Sequence, residues 1–144
     1  VGDAGLVHLQ SLSHLQELHL DHSDITDEGL RILTTLPNLE ILDLKGTQVT
    51  DAGLIHVGRL AGLKGLYLTR TGITDAGLEK LRNLSKLETL ILWDTGIGDA
   101  GLEHLTSLKH LREVILWNTR VTQQGAEALQ TALPECDVST TMFE

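Results

Sequence analysis

The tetrad Asp-x-Gly-Leu returns at Asp3, Asp27, Asp51, Asp75 and Asp99, always 24 residues apart, and fades at Gln123-Gln124-Gly125-Ala126 into a sixth, degenerate copy. A second pattern, L-x-x-L-x-L, runs in phase with it: Leu15/Leu18/Leu20, Leu39/Leu42/Leu44, Leu63/Leu66/Leu68, Leu87/Leu90/Leu92 and Leu111/Val114/Leu116. Two independent patterns locked to one period are the mark of a repeat architecture. A unit this short cannot bury its own apolar face, whereas stacked units build one continuous core, so a solenoid is expected.

Each piece of the unit has a physical assignment. The alternation in L-x-L marks a short strand with one buried face. Ser23, Thr47, Thr71, Thr95 and Thr119 stand where the chain leaves the strand. A small hydroxyl there can bond the turning backbone of its own or the adjacent unit. Ile25, Val49, Ile73, Ile97 and Val121 fill the next inward slot. The Asp then precedes leucines at i and i+3, exemplified by Leu78, Leu81 and Leu84, with Pro37 or a polar residue such as Asn83 marking the end. An Asp ahead of an apolar helical stripe is expected to N-cap that helix, where the dipole favours its charge. The tetrad glycine is expected to let adjacent turns approach closely.

The predicted fold is therefore α/β: a right-handed horseshoe segment with a parallel sheet on the concave face and helices on the convex face. Strands about 4.8 Å apart backed by wider helices force that curvature. The reading divides one domain, 1–144, into a partial unit 1–14, full units 15–38, 39–62, 63–86, 87–110 and 111–134, and a cap 135–144. Val1 aligns with Ile25, so the first unit lacks its strand; other domains of a longer parent chain are expected beside it, and a half-unit serving as a helix cap is the alternative. Near the other end, Leu133 to Val138 matches Leu36 to Ile41 with one residue inserted, placing Cys136 in a buried leucine slot and 139–144 at a strand end or cap.

Charge narrows the function. A formal net charge of −9 argues against nucleic acid and against an anionic membrane surface, both of which select Lys/Arg excess. The single cysteine rules out an internal disulfide and favours a reducing, cytoplasmic setting, with a bacterial envelope protein lacking disulfides as the alternative. No apolar run approaches the length of a membrane span. Glu17, His19, Asp21 and Asp43 fall close together on adjacent strands, yet nothing fixes a metal geometry, and no metal or cofactor is expected. The Asp series is read as caps and not as calcium ligands. No Ser/His/Asp or Cys/His set has an orienting partner, so no enzyme is expected.

The motif L-x-x-L-x-L-x-x-[NCT], together with the Thr-x-Ile-Thr-Asp-x-Gly-Leu run from Thr71 to Leu78, resembles the leucine-rich-repeat family over essentially the whole chain. The continuation is similar to the helical-backed repeats of ribonuclease-inhibitor-like proteins and F-box substrate receptors. Units with Thr in place of Asn or Cys are also similar to arrays in large bacterial proteins. The resemblance implies protein binding and names no partner.

Residues between the strand leucines point away from the core and form columns across the sheet. One holds His19, Asp43, Tyr67, Ile91 and Ile115; another holds Asp21, Lys45, Thr69, Trp93 and Trp117; His22, Gly46, Arg70, Asp94 and Asn118 lie just outside. Three of the four aromatic residues, Tyr67, Trp93 and Trp117, thus gather on one face with Ile91 and Ile115. Contiguous exposed apolar groups of this kind mark interaction surfaces, and Trp and Tyr are common hot spots. With Arg70, Asp94 and Asn118 as a polar rim, these eight residues are the candidate partner-binding set. The competing reading is cross-strand packing, or burial under the tail that carries Phe143. The leading function is a non-catalytic protein-binding module; the alternatives are a structural spacer array, or an adaptor serving a catalytic domain elsewhere.

Overall fold

The computed structural model describes residues 1–142. Six three-residue strands, β1 (Glu17–His19), β2 (Ile41–Asp43), β3 (Gly65–Tyr67), β4 (Thr89–Ile91), β5 (Glu113–Ile115) and β6 (Asp137–Ser139), form one open sheet in chain order. Every pairing is parallel and in a 24-residue register: Leu18, Leu42, Leu66, Leu90, Val114 and Val138 lie side by side. From Leu18 to Val114 these residues are buried, together with Leu44, Leu68, Leu92 and the slot series Ile25, Val49, Ile73 and Ile97. The cluster is continuous from Leu6 to Cys136, so the core is one apolar column instead of a separate nucleus per unit.

The opposite layer is helical, but mostly in short pieces. The α-helical segments are α1 (Asp3–Leu6), α2 (Asp51–Val57), α3 (Asp75–Leu78), α4 (Asp99–Leu102) and α5 (Gln123–Ala132). Tighter 3₁₀ turns follow α1, α3 and α4 at Val7–Leu9, Glu79–Leu81 and Glu103–Leu105, and the second unit is 3₁₀ throughout, over Gly29–Thr35. The cause lies in the leucine spacing. Leu78, Leu81 and Leu84, like Leu102, Leu105 and Leu108, recur every three residues, which matches three residues per turn better than 3.6. In α5 the buried series is Ala126, Leu129 and Leu133. The inserted residue stretches the second step to four, and α5 alone runs ten residues. Among the described residues no helix is long and apolar enough to cross a membrane.

The turn hydroxyls act within their own unit. Ser23, Thr47, Thr71, Thr95 and Thr119 each donate to the carbonyl three residues back, as in Thr47 Oγ1 to the Leu44 oxygen at 2.7 Å. Just before each hydroxyl the backbone turns left-handed: φ is 54° at His22, 65° at Gly46, 54° at Arg70, 59° at Asp94 and 50° at Asn118. Only Gly46 adopts this without a Cβ penalty; Asn, Asp and His tolerate it, and Arg70 is the unusual member. At His22, Gly46, Arg70 and Asp94 the conformation is held because the amide reaches the next unit, for example Arg70 N–H to the Trp93 carbonyl at 3.0 Å.

The Asp residues do not cap their own helices. The capping positions of α1 to α4 are Gly2, Thr50, Thr74 and Gly98, none with a side-chain cap bond, and Asp is the first helical residue. From there its carboxylate points along the stack. Asp27 accepts the Thr50 amide at 2.7 Å and the Thr50 hydroxyl at 2.6 Å. Asp3 does the same with Thr26, Asp51 with Thr74 and Asp99 with Thr122, while Asp75 accepts only the Gly98 amide at 2.7 Å. The orphan donors at one helix start are thus satisfied from the preceding unit. The tetrad glycine clears the path: a Cβ at Gly77 would collide with the Asp51 carboxylate. Close approach holds as expected, and its object is a side chain of the neighbouring unit.

The final strand shifts the expected register by one. Val138 pairs with Val114, whose equivalent in β2 is Leu42, not the outward Ile41. Cys136 is buried at 3% exposure, as its slot requires. Loss of solvent, with Asp137 beside it, pushes its thiol up to about 11.

Candidate functional site

The sheet face away from the helices carries the sequence-predicted residues on three adjoining strands and the turns that follow them. Register sets Tyr67 beside Ile91 and Ile91 beside Ile115. Trp93 and Trp117 lie two residues beyond those isoleucines. All five side chains are half-buried, Asp94 likewise, and Arg70 and Asn118 are exposed.

Trp93 and Trp117 meet edge to face, with ring centroids 5.7 Å apart and planes at 67°. That geometry sets the positive edge of one indole against the negative face of the other. The Arg70 guanidinium sits 5.6 Å from the centre of the Trp93 ring, as a cation over a π-face. Its Nε donates to Asp94 Oδ2 at 3.0 Å, and Asn118 Nδ2 donates to Asp94 Oδ1 at 2.7 Å. At the far side Trp117 Nε1 donates to Ser139 Oγ at 2.8 Å. Four consecutive units therefore fix the two indoles through side-chain contacts. Three of the residues involved, Arg70, Asp94 and Asn118, hold the left-handed turn position.

Tyr67 behaves differently from the sequence expectation of three aligned rings. Its ring leans back over Gly65 on its own strand, 3.4 Å from where a Cβ would sit. The missing side chain at Gly65 supplies the room. Among the described residues the aromatic pair in contact is Trp93 with Trp117. Phe143, the proposed cover for these rings, lies outside the described residues.

The remainder of the face is polar. His19 lies between two carboxylates, with Nε2 3.6 Å from Glu17 and Nδ1 3.9 Å from Asp43. Asp43 also accepts the Lys45 amide at 2.9 Å. Among the described residues no group of three or more His, Cys, Asp or Glu is arranged to hold a metal ion. On the helix side a broad open cleft of about 600 Å³ runs beside the Gly29–Thr35 turn, lined in part by Asp3, Val7, Arg31, His56 and Arg59. Its charged groups are already engaged in part: Asp3 holds Thr26, and Arg31 reaches Glu28 at 3.4 Å.

Comparison with known proteins follows the same lines. The family model described as Leucine Rich repeat matches residues 11–32 and 35–57. Among solved structures, an LRR protein from Leptospira interrogans superposes with a TM-score of 0.69 at 23% identity, over 91% of this chain and 32% of that one. Internalin C2 from Listeria monocytogenes superposes with a TM-score of 0.70 at 23% identity, over 90% of this chain and 62% of that one. The chain thus spans less than two thirds of either. No curated protein matches it.

Proposed function

We propose, from the premise that this chain is a leucine-rich-repeat solenoid, that it is a non-catalytic module binding a protein on the C-terminal half of its concave sheet. Solenoids of stacked units present extended concave binding surfaces. Trp93 and Trp117 are the anchors, Tyr67, Ile91 and Ile115 extend the apolar area, and Arg70, Asp94 and Asn118 form the polar rim.

The observation that carries this reading is the Trp93–Trp117 pair, held from both sides while still half-open to solvent. A rigid aromatic centre loses little rotamer freedom on binding, and polar residues around it exclude water from it. Packing alone accounts for the ring–ring contact; the Arg70–Asp94–Asn118 line adds a hydrogen-bonded polar rim beside it, the anatomy of a protein interface. Catalysis has no comparable support. The lone thiol, Cys136, is buried and its pKa raised, the reverse of an activated nucleophile.

The test is capture with a photo-crosslinking residue in place of Asn118, beside the indoles, and the same residue in place of the exposed Ile55 on the helix side. A protein cross-linked from the first position and not the second supports the assignment. The same protein cross-linked only from the second overturns it.

A further inference from the structure

Resting on that docking face, we propose that its occupant is a basic protein segment, presenting a lysine or arginine next to an apolar side chain. Glu113 opens β5 and Asp137 opens β6, and the register places them directly opposite each other. Both are exposed, on the same face as Ile115 and two residues before it. No other directly opposed pair of outward residues along the sheet carries like charges: the rest join apolar, neutral or His–Asp partners. Like charges opposed across a ladder destabilise it.

The chain pairs its charges across units elsewhere, at Lys64–Glu40 and Arg70–Asp94, both 3.0 Å. Among the described residues Glu113 and Asp137 have no ion pair and no side-chain hydrogen bond. Arg112, the nearest cation in sequence, pairs with neither. The register thus sets two exposed carboxylates, with neither an ion pair nor a side-chain hydrogen bond, on the strands that carry the apolar centre. A partner's ammonium or guanidinium between them relieves the repulsion and forms charge-assisted bonds to both oxygens sets. An apolar neighbour on the same segment then reaches Ile115 and Trp117, farther along the strand. Glu17, Asp21 and Asp43 extend the negative field over the other half of the face, and that field speeds and selects cationic partners.

Two measurements on the intact chain test this. Without any ligand, Glu113→Gln raises the melting temperature and flattens its dependence on salt, because it removes repulsion. With ligand, three synthetic peptides of equal apolar content, carrying Lys, Glu or Ser, are titrated against the tryptophan emission, which arises only from Trp93 and Trp117. The Lys peptide binds in preference, weakens as salt rises, and binds roughly tenfold or more weakly to the E113Q/D137N protein. A lower melting temperature for Glu113→Gln, no binding of the Lys peptide, equal or better binding of the Ser or Glu peptide, or Lys-peptide binding unmoved by E113Q/D137N overturns the basic occupant and leaves the docking face standing. Lys-peptide binding that calorimetry finds unchanged in W93A/W117A overturns the face itself.

Discussion

The Asp51 carboxylate in one unit accepts both the backbone N–H and the side-chain hydroxyl of Thr74 in the next. Asp75, one unit on, has only the Gly98 amide to hold. Loss of hydrogen bonds to a charged acceptor costs on the order of 1–3 kcal/mol, and these sit near solvent, toward the low end. Asp51→Ala should therefore destabilise the chain more than Asp75→Ala does. Chemical denaturation of both variants decides it; equal losses would mean that each Asp serves its own helix start.

Gly77 and Asp51 should be coupled. A methyl group at Gly77 collides with the Asp51 carboxylate and also approaches Leu54. Gly77→Ala is expected to be strongly destabilising alone and milder in an Asp51→Ala background. The double-mutant cycle should show a coupling of about 0.5–3 kcal/mol, the range for residues in contact. Additive losses would show that the glycine is there for another reason.

Acid should weaken the contact between Asp99 and Thr122. The Thr122 hydroxyl and amide hold the Asp99 carboxyl below its ordinary 3.8. A group with a depressed folded pKa contributes stability that is complete above its unfolded value and lost as pH falls through the folded one. The contribution of Asp99 should thus persist down to about pH 4 and vanish below it. Wild-type protein should lose more melting temperature over that acid range than Asp99→Asn does. Parallel pH profiles for the two proteins would contradict the assignment.

Much of this was legible in the sequence because the repeat reports on itself. Leucines at 24-residue spacing fixed the strand register from Leu18 to Val114, and the outward columns placed Trp93 and Trp117 side by side. What stayed hidden depends on contacts between units. Asp27 and Thr50 are 23 residues apart, and no local rule singles out that pair over a cap within the unit. The 3₁₀ turns did have a signal, the three-residue spacing of Leu78, Leu81 and Leu84, which also satisfies the i, i+3 stripe of an α-helix. The left-handed backbone at Arg70 was marked only by Gly46 in the equivalent place. Tyr67 turned from the tryptophans because Gly65 left space beside it.

Cys136 should be inert in the folded chain. Its thiol is buried and needs a pH near 11 to ionise, and thiolate is the reactive form. Labelling with an alkylating reagent at neutral pH should be slow and should accelerate in denaturant with the unfolding transition. Rapid stoichiometric labelling of native protein would show that the C-terminal strand opens readily.

The tryptophan pair contributes to the fold as well as to the face. Truncating Trp93 removes an edge-to-face contact of about 0.5–1.5 kcal/mol, and truncating Trp117 also releases the bond to Ser139. Both alanine variants should melt lower than wild type while remaining folded by circular dichroism. Melting temperatures identical to wild type would mean that the two rings are not packed together in solution.

The affinity of the cross-linked partner for wild-type chain and for W93A/W117A, measured by calorimetry at a temperature where both are folded, tests the central claim most directly. The predicted result is a loss of about 2 kcal/mol or more, roughly thirtyfold in Kd, as expected of hot-spot anchors. Binding at full strength by the double variant would contradict it.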